Sequence, residues 1–276
     1  MITRVARLTR AEFLKLSANL FVYVCLVLLA FMTVGAEWLQ PEFRGQKETI
    51  WKSYHSAQLF AYGFKFGLWI ATYVLLIFSS MIFSGEFDRG TIKILLTRPI
   101  TRADLFLAKC LTVVGLAAFL FLFVLWVSLV YAFARGDAGP VWAEDQFIMM
   151  RDSGEIGGHA VRAVSMSFLP FLAAGFLGLF ISTWTESSGY CVAIAVVLFL
   201  FAELFTGMFS ERSQQNLFLY YAPYALGKLQ SLAEGTTTRW SPEVIDRRLY
   251  LWVPLAFIGG FIPPAFGIFR ARNITA

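Results

Sequence analysis

An all-α integral membrane fold with six transmembrane helices is predicted by three observations. Of 276 residues, 58% are hydrophobic and only 15% are charged, a balance that does not suit a water-soluble surface. The mean hydropathy is +0.66. The apolar residues, about 160 in all, gather into six runs of the roughly twenty residues that a helical span needs. These runs lack the in-out alternation of barrel strands, and hydrocarbon leaves a backbone only the helix or the closed barrel. The same composition excludes a disordered chain, a disulfide scaffold and a secreted domain. The formal net charge of +5 does not point to nucleic acid, because the basic residues flank apolar runs and do not cluster on a polar face.

The first element is an amphipathic helix over residues 2–16. Ile2, Val5, Leu8, Phe13 and Leu16 fall on one side, while Arg4, Arg7, Arg10 and Lys15 gather on the other. Glu12 and Leu14 break that pattern. The positive start resembles the flank of a signal peptide, but the apolar run after it is too long and has no cleavage site, so it is expected to remain as the first span.

The spans are expected at 18–36, 60–84, 104–133, 163–182, 190–209 and 249–269. The third is longer than hydrocarbon requires and should tilt or protrude. Pro170 should kink the fourth, and Pro254 with Pro263 and Pro264 should bend the sixth near its ends. Residues 216–235 are apolar but interrupted by Pro223 and Gly227, and Tyr220, Tyr221 and Tyr224 suit an interface zone. They are expected as a helix resting on or dipping into the outer leaflet. Cys25, Cys110 and Cys191 lie in or beside apolar runs without CxxC spacing and read as packing residues. Most of the 29 phenylalanines read as lipid-facing or packing residues.

Orientation follows from the basic residues. With the N-terminus inside, the inner pieces are 1–17, 85–103, 183–189 and 270–276. Counting Asp104 and Lys109 just inside the third span, they hold eleven Lys/Arg against five acids. The longer outer pieces 37–59, 134–162 and 210–248 hold eleven against twelve.

The most specific stretch is GEFDRGTIKILLTRPITRADLFLAK, residues 85–109. Thr91 can cap a short helix of Ile92 to Thr97, on which Ile92, Leu95 and Leu96 share a face while Lys93 and Thr97 point elsewhere. Pro99 ends it, since the residue before proline is pushed out of the helical region. Thr101 and Asp104 then stand at capping-box spacing and start the third span. Such a short amphipathic helix between two firm helix ends suits docking on another protein.

Glu86, Gly90, Thr91, Ile92, Lys93, Leu95, Leu96, Arg98, Pro99, Ile100, Thr101, Arg102 and Lys109 resemble the E…GTxKxLLxxPIxR…K signature of ABC-2-type permeases, the membrane subunits of a large class of ABC exporters. The resemblance implies a transmembrane domain that dimerises, most simply as a homodimer, and couples to two copies of a separate ATPase subunit. ATP and magnesium would be held by that partner. No G-x-x-x-x-G-K-[ST] occurs, so this chain is expected to bind no cofactor and to be no enzyme itself. By the same resemblance Ile92, Leu95 and Leu96 would fill a cleft on the ATPase, with Lys93, Arg98 and Arg102 as its polar rim. Glu86, Asp88 and Arg89 would form a hinge-side polar cluster next to Gly90. The resemblance places the chain in a bacterial inner membrane with both ends cytoplasmic.

Two ionisable residues fall within apolar runs. Lys65 lies near the outer end of the second span and can snorkel; Glu203, in the outer third of the fifth, is harder to place in hydrocarbon. The resemblance brings the second and fifth spans toward a dimer centre, where both residues would sit on the translocation path. Gly63 with Gly67, and Gly175 with Gly178, put small residues on the second and fourth spans. An intramembrane enzyme finds no support, because His55 and His159 lie in outer loops and no HExxH or carboxylate pair is present. An ion-coupled secondary transporter or channel would use Glu203 but has no need of a docking helix. A membrane scaffold of a signalling complex would use such a helix without moving cargo. The sequence does not fix the cargo.

Overall fold

The computed structural model describes residues 2–39, 56–92, 100–136, 141–142, 149–151, 153–206, 208, 214, 216–233 and 251–272. Among these, eight α-helices follow one another: α1 Ile2–Ser17, α2 Leu20–Leu39, α3 Ser56–Asp88, α4 Arg102–Arg135, α5 Ser153–Ser182, α6 Ser188–Thr206, α7 Tyr221–Ala233 and α8 Val253–Ala271. Five of them, α3 to α6 and α8, are long and apolar enough to cross a membrane; α1 and α2, joined at a 70° bend, make a sixth if taken as one span. The bend sets α1 at a steep angle to α2. It falls at Ala18–Asn19, where the Asn19 side chain accepts from the Phe21 N–H at 3.0 Å and so caps the start of α2.

Helix ends follow the local chemistry. Thr101 is the N-cap of α4, its hydroxyl accepting from the Asp104 N–H at 3.1 Å and meeting the Asp104 carboxylate at 2.8 Å. The N-cap half of the predicted capping box is therefore present, while the Asp104 carboxylate bonds the Thr101 hydroxyl and not its backbone N–H. At the other end of α3, Gly90 takes φ +64° and its N–H bonds back to the Phe87 carbonyl at 3.0 Å. That left-handed residue costs glycine little and other residues more.

The helices extend past the apolar runs. α3 and α4 run 33 and 34 residues, longer than hydrocarbon requires. α5 begins at Ser153, ten residues before the apolar run at 163, because polar Gly, His and Arg residues there still wind as helix. The outer piece 134–162 is also not free of strand: Val141–Trp142 (β1) and Met149–Arg151 (β2) pair antiparallel. The prolines are accommodated inside helix: α5 continues through Pro170 and α8 through Pro263 and Pro264. Pro254 sits in the first turn of α8, where a missing N–H is no loss.

α3 is the central helix, packed by α2, α4, α5, α6 and α7. Its Phe64 and Phe83 are fully buried; Phe64 meets Phe121 of α4 edge-on at 5.4 Å, and Phe83 lies 4.8 Å from Phe269 of α8. Small residues permit the approach that drives helix association in lipid. A Cβ on Gly178 of α5 would fall 2.1 Å from Ser79 Oγ and 2.9 Å from the Leu76 carbonyl of α3, and one on Gly67 would fall 2.4 Å from Thr33 Oγ1 of α2. These glycines are spent on packing within the chain. The tyrosine-rich segment also packs against protein: a 3-10 turn at Phe218–Tyr220 leads into α7, whose buried Ala225, Leu226 and Leu229 belong to the core shared with α3 and α5. Outward faces are apolar, as on α6, where Tyr190, Val197 and Leu204 are exposed.

Candidate functional site

Two groups of polar residues stand at opposite ends of α3. The first is built where α1, the end of α3 and the start of α4 meet. Lys109 of α4 is fully buried, and its ammonium lies 2.7 Å from Glu86 Oε1 and 3.0 Å from Glu12 Oε2. Lys15 of α1 lies 2.8 Å from Glu12 Oε1 and 3.0 Å from Glu86 Oε1. The four form a square of alternating charge with no net charge, the arrangement in which buried ions compensate one another's desolvation. Burial works to raise the Glu12 pKa, but Lys109 and Lys15 outweigh it and hold the carboxyl below its ordinary range. Burial likewise works against the Lys15 charge, yet Glu12 and Glu86 hold its pKa above the ordinary lysine value. Glu86 Oε2 is buried with no hydrogen-bond partner among the described residues.

Packing supports the square. A Cβ on Gly115 of α4 would lie 2.3 Å from the Phe13 ring of α1, so glycine opens the seat into which Phe13 fits beside Glu12. Glu12, which breaks the amphipathic pattern of α1, points at α3 and α4. Sequence reasoning missed this residue; the signal was an acid on a basic helix.

The same end gathers further contacts. Arg102 donates to the carbonyls of Arg270 at 2.7 Å and Arg272 at 3.1 Å, satisfying acceptors at the end of α8. Arg272 lies 4.0 Å from the Phe87 ring centre, donates to the Thr183 carbonyl at 3.0 Å and pairs with Glu186 at 2.9 Å. Asp88 accepts from Ser188 at 2.7 Å. The Ser182 hydroxyl accepts from the backbone N–H groups of Phe83 and Ser84 at 2.9 and 3.0 Å, which ties α5 to the lower turns of α3.

The residues expected at a partner interface therefore separate. Glu86 and Asp88 lie in this polar end, and Arg89 is exposed. Thr91 is itself helical and its hydroxyl reaches the Glu86 carbonyl at 3.4 Å. Ile92 corrects the sequence reading: it is only 2% exposed and packs in the chain's own core, so it is not free to fill a partner's cleft. Arg102, expected at the rim, is partly exposed and its guanidinium holds the end of α8. Lys93, Leu95, Leu96, Arg98 and Pro99 lie outside the described residues.

The second group lies around Lys65 and Glu203. Both line one cavity of about 390 Å³ between α3, α5, α6 and α7, together with Trp69, Phe171, Phe199 and Leu226. Glu203 Oε1 accepts from Trp69 Nε1 and Oε2 from the Tyr73 hydroxyl, each at 2.5 Å. The two residues predicted within apolar runs are thus brought to one cavity. Glu203 is held by an indole and a phenol, which could not be read from spacing. Among the described residues no group of three or more His, Cys, Asp and Glu side chains is placed to hold a metal.

The family model described as "ABC-2 family transporter protein" matches residues 8–202, most of the chain. The chain belongs to the ABC-2 transporter family. That match takes in Glu12, Lys15, Glu86 and Lys109 and stops one residue before Glu203. As an ABC-2 protein with several apolar helices, it is a multi-pass membrane component of a transporter. It is also similar to the uncharacterized membrane protein YdbK of Bacillus subtilis, at 29% identity over 123 residues. The matched stretch covers 45% of this chain and 46% of that relative.

Proposed function

We propose that this chain is the permease subunit of an ATP-driven exporter, working as one of two protomers with two separate ATPase subunits in a bacterial inner membrane. The observation that carries the coupling half of this reading is the charge square. Segment 85–109 enters and leaves through α3 and α4, and Glu12, Lys15, Glu86 and Lys109 bind both helices to α1. A push delivered to the loop between Gly90 and Thr101 therefore moves three helix ends as one body. Arg102 adds the end of α8 to it.

α3 carries that displacement onward. A helix rises about 1.5 Å per residue, so Glu86 and Lys65 stand roughly 31 Å apart on one rigid rod, about the thickness of the hydrocarbon core. Motion at the square becomes tilt or translation at the cavity of Lys65 and Glu203, which in this reading lies on the path of the cargo. Leu95 and Leu96, with Lys93, Arg98 and Pro99, supply the face that docks on the ATPase, while Gly90 supplies the hinge. Both termini stand on the ATPase side in this arrangement.

The test is to purify the tagged chain in mild detergent from its own host and identify what accompanies it, beside the Leu95→Asp variant. An ATPase subunit that comes with the wild type and is lost from a still-folded variant supports the reading. A folded chain that comes down without an ATPase contradicts it and favours an ion-coupled transporter centred on Glu203.

A further inference from the structure

The cavity at the far end of α3 holds two charged groups in different states. Glu203 is occupied, with one donor on each carboxylate oxygen. Lys65 is half-buried and lines the same cavity, yet among the described residues no carboxylate lies within ion-pair distance of its ammonium. A cation held against an apolar wall with no carboxylate at ion-pair distance is costly, and an anion that enters and contacts it directly relieves that cost. The rest of the wall is apolar: Phe171 from α5, Phe199 from α6, Phe218 from the 3-10 turn and Leu226 from α7. A volume of about 390 Å³ is within the range of about 300–1,000 Å³ typical of small-molecule sites and too small for a two-chain lipid to enter whole.

We propose that this cavity binds a single-chain anionic amphiphile, its acid head on the Lys65 ammonium and its tail against Phe171, Phe199 and Leu226. Two observations select this class. Of the two charges on the wall, each Glu203 oxygen already has a donor while Lys65 has no ion-pair partner among the described residues, which selects an acid over an amine, and the wall beyond it offers apolar side chains that no fully polar anion would use. The inference rests on the cavity alone and stands whether or not an ATPase drives the chain.

The test uses the full chain in nanodiscs of phosphatidylcholine and lauric acid brominated at its tail, a quencher of the Trp69 indole at the cavity wall. The expected result is saturable quenching that Lys65→Gln weakens by about tenfold or more, the size of a lost charge-assisted contact, and that Lys65→Arg retains. Brominated dodecanol, which has no charge, should bind more weakly and equally to wild type and Lys65→Gln. Absence of saturable quenching in the wild type would overturn the proposal. So would equal laurate binding in Lys65→Gln, or a loss that extends to the neutral alcohol, which would show a collapsed cavity instead of a missing charge.

Discussion

Lys109 of α4 and Glu86 of α3 meet at 2.7 Å, the lysine side chain 1% and the glutamate side chain 11% exposed. They are the last and first charged residues of the segment that resembles an exporter signature, and they close its two ends on one another. A pair buried this deeply cannot lose its lysine cheaply, because Glu12 and Glu86 are then left to share the one ammonium of Lys15.

Lys109→Met should therefore cost about 3–5 kcal/mol of stability, the range found when one partner of a buried pair is removed. Replacing Lys109 and Glu86 together by Met and Gln should cost less than the sum of the single changes. Thermal unfolding of the four proteins in detergent checks this. Additive losses would mean that the pair is not coupled.

α1 should detach without being unfolded when its anchor is removed. Glu12→Gln and Gly115→Leu act on different contacts, a charge and the seat of Phe13, and both should raise hydrogen exchange in α1 by about tenfold or more while leaving α3 protected. Protection unchanged in both variants would show that α1 is held by other means.

The docking of α1 should be indifferent to pH over a wide window. Glu12 has a depressed pKa when docked, so its contribution is full above the ordinary glutamate value of about 4.3 and is lost as pH falls through the lower docked value. Lys15 has a raised pKa, so its contribution is full below about 10.4 and is lost only as pH rises beyond that. Hydrogen exchange of α1, corrected for its intrinsic pH dependence, should be flat from about pH 5 to 10. A transition near neutrality would contradict the charge square.

Much of this end was legible in sequence and part was not. The Thr101–Asp104 cap is local, so spacing sufficed. Glu86 and Lys109 were both marked as significant, but nothing in a spacing of 23 residues says that they touch; that follows from how α3 and α4 pack. Glu12 read as a flaw in an amphipathic pattern because a helical wheel shows polarity and not the identity of the neighbour. Ile92 was misassigned for the same reason, since an apolar face looks alike whether it meets a partner or the chain's own core. β1 and β2 carried no readable period at two and three residues.

Close packing of α3 against α5 gives a further prediction. Gly178→Leu would drive a side chain into Ser79 and the Leu76 backbone, and the misfit should cost about 1–3 kcal/mol or more. Ser182→Val removes the acceptor of the Phe83 and Ser84 N–H groups and should cost about 1 kcal/mol, polar contacts between helices in lipid being modest. Yield of monodisperse protein and its melting temperature distinguish the two, with Gly178→Leu the more severe. The opposite order would contradict the packing described.

The most direct test of the account is whether nucleotide at one end of α3 is felt at the other. In native membranes holding the complex, with the three native cysteines replaced, Ala222→Cys places a thiol on the cavity wall for a charged maleimide. The account predicts that ATP changes its labelling rate several-fold and that Gly90→Pro or Lys109→Met abolishes the change while the chain remains inserted. Labelling indifferent to ATP in the otherwise wild-type complex, or a response that survives both substitutions, would contradict it.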